Sequence, residues 1–347
     1  MSAHNGTAEH DTAPARCLVM RTIQATAPGG PDVLSLDTLP EPSAGRGEVV
    51  VQVAAAGVNF IDTYRRAGIY PMAFPHVVGS EGAGTVTGVG PGVDDLAVGD
   101  RVAWASSVSG SYAERVRVAA AAAVPVPDDV DLTTAAALLL QGMTAHYLVD
   151  STFPVTAGQT VLVHAGAGGV GLLLTQLAVA RGARVLTTVS TAEKAAVSRA
   201  AGASDVIRYD ELADLTTDLP AAVRALTDGA GVATVFDGVG RATFDASLAS
   251  LAVRGGLALF GGASGQVPPV DPQRLNAAGS VYLTRPTLGH YTATRPELLR
   301  RAGELLAAVG AGRLDVRIGA TYALADAAQA HRDLEGRATI GKVVLLP

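Results

Sequence analysis

The segment Gly57–Tyr64 (GVNFIDTY) places several polar side chains directly after a run of apolar and small residues. Asn59, Asp62 and Tyr64 would lie where a buried strand ends. A polar group buried without a partner costs about 1–3 kcal/mol, so these side chains need hydrogen-bonding partners or a ligand. The residues alone leave two interpretations open: a turn in which Asn59 and Asp62 bond local backbone, or a site that contacts a bound molecule.

A second group of residues, within Thr160–Val185, has the spacing of a phosphate-binding loop. Gly166, Gly168 and Gly171 form the pattern G-x-G-x-x-G. The pattern follows an apolar strand and opens an amphipathic helix, which is the context that the motif requires. Glycines let the backbone approach a pyrophosphate, and a helix N-terminus supplies free N–H groups and the positive end of a dipole. The predicted dinucleotide contacts are Gly166, Gly168, Gly169, Val170 and Gly171.

The end of the second strand of this unit bears on the choice between NAD and NADP. An NAD site usually places an acid there, but this strand ends at Ser190. The first acid downstream, Glu193, completes a Ser190-x-x-Glu193 capping box, which predicts a structural role for it. Lys194 stands in the same turn, where a cation suits a 2′-phosphate. A solvated surface lysine is an equally open alternative.

The composition of the 347-residue chain limits its class. The length suits two domains, and 48% hydrophobic against 17% charged residues excludes disorder for most of the chain. A net charge of −6, with no block of Lys and Arg, argues against a nucleic-acid partner. Cys17 is the single cysteine, which excludes an intramolecular disulfide and a cysteine zinc cluster.

The N-terminal segment, residues 1–15, lacks the basic and apolar regions of a signal peptide, and we expect it to form a disordered tail. We find no uninterrupted run of about 18 apolar residues, which predicts that no helix crosses a membrane. The expected location is therefore the cytoplasm.

The pattern of apolar residues predicts an α/β protein. Residues 16–124 are typical of strands separated by Gly, Pro and Asp turns. Helical spacing then predicts a helix around Ala135–Val149. Strands and helices alternate over residues 160–265, which predicts a doubly wound parallel sheet with helices on both faces. The elements predicted for the last stretch are a helix, Pro296–Val309, and two strands, Asp315–Ile318 and Lys342–Leu346.

Several motifs together resemble the zinc-independent quinone oxidoreductases of the zeta-crystallin type, within the medium-chain dehydrogenase/reductase superfamily. They include GVNFIDTY (57–64), GSEGAG (79–84), QGMTAHYL (141–148), HAGAGGVG (164–171), TVSTAEK (188–194) and LTRPTLGHY (283–291). The resemblance extends from about residue 17 to the C-terminus. It implies a GroES-like β-rich catalytic domain over residues 16–142 and 283–347, and a Rossmann domain over residues 143–282.

The resemblance also implies NADPH as the cofactor. By matching motifs, the residues implied for the adenosine 2′-phosphate are Ser190, Lys194, Tyr209 and Arg337. A strand cap is the alternative role for Tyr209, and a surface ion pair with Asp333 or Glu335 is the alternative for Arg337. On the nicotinamide side, the resemblance implies Thr144, which we place at the start of a domain-crossing helix, and we aim Asn59 there too. Val239, Phe260 and Gly261 follow later Rossmann strands, whose carboxyl ends line the cofactor crevice.

The resemblance argues against a metal. Zinc alcohol dehydrogenases of the superfamily place a cysteine ligand where this chain has Asn59, and a histidine where it has Ser80. Neither asparagine nor serine is a usual zinc ligand. His76 follows Pro75, and we expect it to be a turn residue rather than a ligand.

Without a Lewis acid, the acceptor must itself spread the incoming negative charge. A quinone or a conjugated enone does so, and we expect hydride transfer to such a small electrophilic acceptor. The residues expected at the catalytic position are Asn59, Asp62, Tyr64 and Tyr70, with Asp62 as an orienting group and Tyr64 as a candidate proton donor. Two alternatives remain: a reductase of α,β-unsaturated carbonyls, including enoyl thioesters, and a low-activity NADPH-binding structural or RNA-interacting protein. The resemblance suggests a homodimer, which the strand-like segment 280–284 could form at a sheet edge.

Overall fold

The computed structural model describes residues 18–347. The predicted N-terminal tail and Cys17 lie outside the described residues. Within the described chain, one sheet is entirely parallel and the other two are mainly antiparallel, and one long helix packs against the larger antiparallel sheet and against a helix of the parallel unit.

The first unit consists mainly of antiparallel strands. Its strands are β1 (Val19–Ala25), β2 (Leu34–Pro40), β3 (Glu48–Val58), β4 (His76–Val77), β5 (Glu81–Val89), β6 (Arg101–Trp104), β7 (Arg115–Ala119) and β8 (Val124–Pro125), and a short helix, α1 (Phe60–Arg66), follows β3 directly. Strands β2, β1 and β4 form a small sheet, whereas β3 pairs with β5 and β7 in a larger one. Val49, Val51 and Val53 are buried on one face of β3, as the period of two in a strand requires.

Helix α2 (Leu132–Tyr147) joins the two units and continues as a wider helical turn, Leu148–Thr152. By length and composition, Leu132–Thr152 is apolar enough to cross a membrane, but its most apolar window is 67% buried in the described protein. The segment contains no long uninterrupted apolar run, because Thr, Gln, Gly and His residues interrupt it. Its packing against α3 of the second unit and against β3, β5 and β6 of the first identifies it as a core helix.

The second unit alternates strands and helices. These elements are β9 (Thr160–Val163), α3 (Gly169–Ala180), β10 (Arg184–Val189), α4 (Ala192–Ala200), β11 (Asp205–Arg208), α5 (Leu215–Leu226), β12 (Val232–Asp237), α6 (Phe244–Ser250), β13 (Leu251–Leu259), α7 (Gln273–Ala277) and β14 (Tyr282–Thr284). The strands pair in parallel in the order β11-β10-β9-β12-β13-β14. This is the Rossmann order, in which ligands bind beyond the carboxyl ends of the strands where the order reverses, here between β9 and β12. The predicted α/β class is confirmed.

The C-terminal segment returns to the first unit. It contains α8 (Arg295–Gly310), β15 (Ile318–Ala323), α9 (Ala327–Glu335) and β16 (Lys342–Leu346), and β16 pairs with β3 and β15. The predicted strand Asp315–Ile318 is wrong, since the strand begins only at Ile318.

Two predicted domain boundaries fall inside regular elements. The boundary at residue 283 lies within β14, which hydrogen-bonds to β13 and so belongs to the parallel sheet. The boundary at residue 143 lies within α2, and Thr144 is in the last turn of this helix rather than at its start. Because α2 contributes to the cores of both units, the sequence pattern could not locate a domain boundary within it.

Candidate active site

The phosphate loop lies where the strand order reverses. A Cβ on Gly166 would lie 2.5 Å from the Cβ of Thr187, and a Cβ on Gly171 would lie 2.2 Å from the carbonyl oxygen of Ala165. Side chains are therefore excluded at both positions. Helix α3 begins at Gly169, and the first-turn N–H groups of a helix have no acceptor within it. This bare backbone with free donors fits a pyrophosphate.

The C-terminal segment docks on the same loop. Gly168, the residue before α3, forms a bridge with Gly341, whose N–H donates to the carbonyl of Ala167 at 2.8 Å. Val170 follows in the first turn of α3 and is half-buried. Both units of the protein therefore contribute to the candidate cofactor site.

A buried polar network lies next to the phosphate loop. His164 contacts the hydroxyl of Thr188 through Nδ1 and that of Ser247 through Nε2, both at 2.9 Å. Ser247 donates to Asp237, which also accepts the N–H of Val239 at 2.8 Å. Burial lowers the pKa of His164. The network ties the ends of three strands together and orients the turn that contains Val239.

Phe260 and Gly261 lie beside this turn, at the end of β13. The Phe260 N–H donates to the carbonyl of Asp237 at 2.9 Å. The Phe260 ring covers Gly238, where a Cβ would lie 2.8 Å from ring atoms. The loops after β12 and β13 therefore pack in direct contact at the predicted crevice.

The four residues implied for the 2′-phosphate fall into two neighbouring pairs. Ser190 and Tyr209 each follow the last paired residue of β10 and β11. Lys194 donates through Nζ to the backbone carbonyl of Arg337 at 2.5 Å. Burial, and to a smaller extent the charge of Arg337, lower the pKa of Lys194. Lys194 and Arg337 therefore lie together near the ends of β10 and β11.

The predicted capping box is wrong by one residue. Thr191 is the N-cap of α4, and its hydroxyl accepts the N–H of Lys194 at 3.2 Å. Ser and Thr are both common N-caps, so the presence of the two side by side left the start of the helix open by one residue.

The alternative role of Arg337 is not supported by the described residues. Glu335 pairs with Arg66 at 2.7 Å, and Asp333 accepts hydrogen bonds from Tyr322 and Gln329. Both nearby acids therefore have other partners.

Asn59 lies in a buried ion-pair network that the sequence did not reveal. Lys342 forms an ion pair with Glu81 and donates to Asn59 Oδ1 at 2.7 Å. Asn59 Nδ2 donates to Glu81 Oε2 at 2.9 Å, and Glu81 Oε1 accepts the N–H of Leu140 at 2.6 Å. The prediction that the Asn59 amide faces the acceptor is not met, because both its ends are occupied and its side chain is buried.

Asp62 is also buried and engaged. It accepts the N–H of Asn59 at 3.0 Å, the hydroxyl of Ser80 at 2.6 Å and that of Tyr112 at 3.2 Å. Burial raises the pKa of Asp62, and the hydrogen bond from Ser80 opposes this rise. Asp62 therefore holds the start of α1 in place and does not line the cavity described below.

The network continues to His331. Arg66, which can only donate, contacts His331 Nδ1 at 2.9 Å, and His331 Nε2 contacts the Tyr112 hydroxyl at 3.1 Å. With Tyr112 donating to Asp62, this arrangement requires a neutral His331 protonated at Nε2. Burial and the charge of Arg66 lower the pKa of His331 to about 3.

His331 should make the stability depend on pH. Below about pH 6.5 the unfolded chain gains a proton on this histidine that the folded protein does not accept until about pH 3. The free energy of unfolding should therefore fall as the pH decreases through this window, by up to about 1.4 kcal/mol per pH unit. Urea unfolding at pH 7 and pH 5 should show a smaller fall for His331→Gln than for the wild type. Equal falls would contradict the neutral, buried state.

The side chains in the region that corresponds to a zinc site bond to other protein groups. Ser80 accepts a hydrogen bond from Arg65 at 2.8 Å and donates to Asp62. His76 belongs to β4, and its Nδ1 contacts the carbonyl of Ala73 at 3.0 Å. Within residues 18–347, no group of three or more His, Cys, Asp or Glu side chains could hold a metal ion.

A cavity of about 360 Å³ opens between the two units. Tyr64 and Tyr70 line it, with their rings edge to face at 5.7 Å between centroids. The Tyr64 hydroxyl accepts the N–H of Gly262 at 3.3 Å, which leaves its own proton free to donate. Burial raises the pKa of Tyr64. Gly261 also lines the cavity, so the loop after β13 connects the cavity to the cofactor crevice.

Thr144 is nearly buried and donates to the carbonyl of Leu140 at 2.7 Å. Three further charged residues were not among the predicted site residues: Glu81, Lys342 and Arg285, the last of which lines the cavity. Glu81 and Arg285 lie in motifs that had been recognised. A lysine that begins the apolar strand β16 was the available signal for Lys342.

Comparisons with known proteins agree with this architecture. Residues 45–128 match the family model of the alcohol dehydrogenase GroES-like domain, and residues 169–305 match that of zinc-binding dehydrogenases. A quinone oxidoreductase from Pseudomonas aeruginosa is 43% identical over 94% of this chain and 99% of its own length. A 2-haloacrylate reductase from a Burkholderia species is 42% identical over 92% of this chain and 96% of its own length.

A solved mycobacterial structure in complex with NADPH has a TM-score of 0.91 and 57% identity, covering 94% of this chain and 100% of the other. A two-domain reductase with a Rossmann cofactor site is thus the class that the fold and site define. The chain belongs to the quinone oxidoreductases of the medium-chain dehydrogenase/reductase superfamily.

Proposed function

We propose that this protein is an NADPH-dependent oxidoreductase that transfers hydride to a quinone. The observation that carries the proposal is that the phosphate loop, the cations Lys194 and Arg337, and the tyrosine-lined cavity lie along one edge of the parallel sheet. Relatives of 43% and 42% identity are both named as reductases or oxidoreductases, and a 57% identical relative was solved with NADPH.

The cofactor would be held by residues from both units. The N-terminus of α3 would bind the pyrophosphate, and Lys194 with Arg337 would bind the 2′-phosphate, assisted by Ser190 and Tyr209. NADPH, when bound, supplies the hydride. Val239, Phe260, Gly261 and Thr144 would orient the nicotinamide end.

We further propose that the reaction uses no metal. Asn59 and Ser80 are not zinc ligands by type, and their side chains hold the ion pair and Asp62. The acceptor must then delocalise the transferred charge, as a quinone does. Tyr64 and Tyr70 would contact the flat acceptor, and the Tyr64 hydroxyl would donate a hydrogen bond to the oxygen that gains charge.

Tyr64→Phe tests the role of this hydroxyl. The variant removes the donor and keeps the ring, so we expect kcat with a quinone to fall about ten-fold while the dissociation constant of NADPH stays the same. Steady-state kinetics and a fluorescence titration measure the two quantities. An unchanged kcat would show that solvent protonates the product and would remove the proposed role.

Reduction of a conjugated alkene is the second candidate. Its support is the relative named 2-haloacrylate reductase, at 42% identity. The decisive experiment measures NADPH consumption with 1,4-benzoquinone and with a conjugated enal side by side, followed by product analysis. Faster reduction of the quinone supports the first proposal, whereas preferential formation of the saturated aldehyde supports the second. Tight NADPH binding with neither acceptor reduced would favour a binding protein instead.

We propose that the protein is a cytoplasmic homodimer. Strand β14 pairs only with β13 among the described strands, and Tyr282 on it and Val253 nearby are 62% and 75% exposed. A free parallel edge with exposed apolar side chains suits pairing with a second copy. Light scattering should give a dimer for the wild type and a monomer for Tyr282→Asp. A monomeric wild type would contradict this assembly.

A further inference from the structure

Arg285 lines the cavity between the two units, the proposed acceptor cavity. It directly follows β14, at the carboxyl edge of the parallel sheet where ligands bind in this fold. The next residue, Pro286, is buried. A proline restricts the residue before it to an extended backbone, so the backbone of Arg285 has little freedom. Leu283, from the same strand, lines the cavity together with Arg285.

The charge of Arg285 has no carboxylate partner in the described part of the chain. The hydrogen bond that its guanidinium makes there goes to the carbonyl of Pro286 at 3.4 Å. Its positive charge counters the rise in the pKa of Tyr64 on one side and of Tyr147 on the other. Arg285 and Tyr64 line the same cavity.

The rest of the cavity wall carries no formal charge. Its other side chains are Tyr64, Ile69, Tyr70, Phe244, Leu259, Gln266, Val267, Pro268, Val270 and Leu283. An arginine facing an apolar wall is a planar, permanently charged donor that matches a carboxylate or a sulfonate. Charge-assisted pairs of this kind are stronger than neutral hydrogen bonds.

We propose that Arg285 makes the acceptor cavity selective for flat, conjugated acceptors that carry an anionic oxygen group, a carboxylate or a sulfonate. The apolar wall and the two tyrosines hold the conjugated body, and the guanidinium pairs with the anionic group at the rim. This inference rests on the proposed function, since it concerns the acceptor of the same site.

Two related acceptors test the selectivity. NADPH-dependent reduction of 1,2-naphthoquinone and of 1,2-naphthoquinone-4-sulfonate gives a ratio of kcat/KM values for each variant, and comparing ratios between variants cancels the different reactivity of the two quinones. We expect Arg285→Met to lower the sulfonate-to-neutral ratio about ten-fold or more, because a charge-assisted hydrogen bond is lost. Arg285→Lys should recover part of the ratio.

Arg241→Met is the matched control. Arg241 is exposed near the same rim, where its side chain would lie 3.7 Å from a Cβ on Gly265, but it does not line the cavity. We expect its ratio to equal that of the wild type. An equal loss in both variants would indicate general attraction of anions and would overturn the inference.

A binding measurement separates this inference from the proposed function. Calorimetry with naphthalene-1-sulfonate, which cannot be reduced, should show about ten-fold weaker binding to Arg285→Met than to the wild type and to Arg241→Met. Equal affinities would overturn the inference whatever the turnover result. Absence of quinone reduction by the wild type, with the sulfonate binding as expected, would instead contradict the proposed function alone.

Discussion

Replacing Lys342 with methionine is expected to lower the free energy of unfolding by about 3–5 kcal/mol, because it leaves a buried carboxylate without its cation. The side chains of Lys342 and Glu81 are 1% and 0% exposed. After the change, Glu81 would retain only Asn59 and the N–H of Leu140 as partners. Urea unfolding measures the change through the shift of the midpoint.

The double variant Lys342→Met with Glu81→Gln is the control. It removes both charges, so no uncompensated ion remains, and we expect it to recover roughly half of the lost stability. If Lys342→Met alone unfolds at the same urea concentration as the wild type, the buried ion pair does not have the role assigned to it, and Asn59 would be free for another.

Replacing Lys194 with alanine is expected to raise the dissociation constant of NADPH about ten- to a hundred-fold, since a hydrogen bond between charged groups contributes about 1.5–3 kcal/mol. NADH lacks the 2′-phosphate, so its affinity should change little. Arg337→Ala should act in the same direction, because Lys194 Nζ contacts the Arg337 backbone and places the two cations together. Fluorescence titrations with each nucleotide measure both affinities.

Arg199→Ala is the matched control for this prediction. Arg199 is an exposed cation at the opposite end of the same helix, α4, so its removal changes the net charge equally. We expect its NADPH and NADH affinities to match the wild type. Equal weakening of NADPH and NADH in Lys194→Ala would show that the lysine supports the fold and does not recognise the 2′-phosphate.

Much of the second unit could be predicted because its signals are local. The strands Arg184–Val189 and Asp205–Arg208 have the predicted bounds, since glycines and short polar residues interrupt the apolar pattern around them. The phosphate loop is a single short motif, in which Gly171 packs against Ala165 of the same loop and Gly166 against Thr187 of the next strand. Its position between a strand and a helix followed from the same stretch.

The partners of Asn59 could not be predicted because they are distant in sequence. Glu81 lies 22 positions away and Lys342 lies 283 positions away. The local pattern identified a polar cluster that needed partners, and it left open whether these were protein groups or a ligand. The fold supplies protein groups, so the cluster is held by an ion pair, and Tyr64, Tyr70 and Arg285 line the cavity between the two units.

We propose that the cleft holds NADPH next to a reducible acceptor. The most direct test compares the consumption of NADPH and of NADH by the purified protein, at equal concentrations and with 1,4-benzoquinone as the acceptor. We predict steady NADPH consumption that depends on both protein and quinone, with kcat/KM at least about ten-fold lower for NADH. No consumption of NADPH above the rate without protein, or equal use of the two nucleotides, would contradict the account.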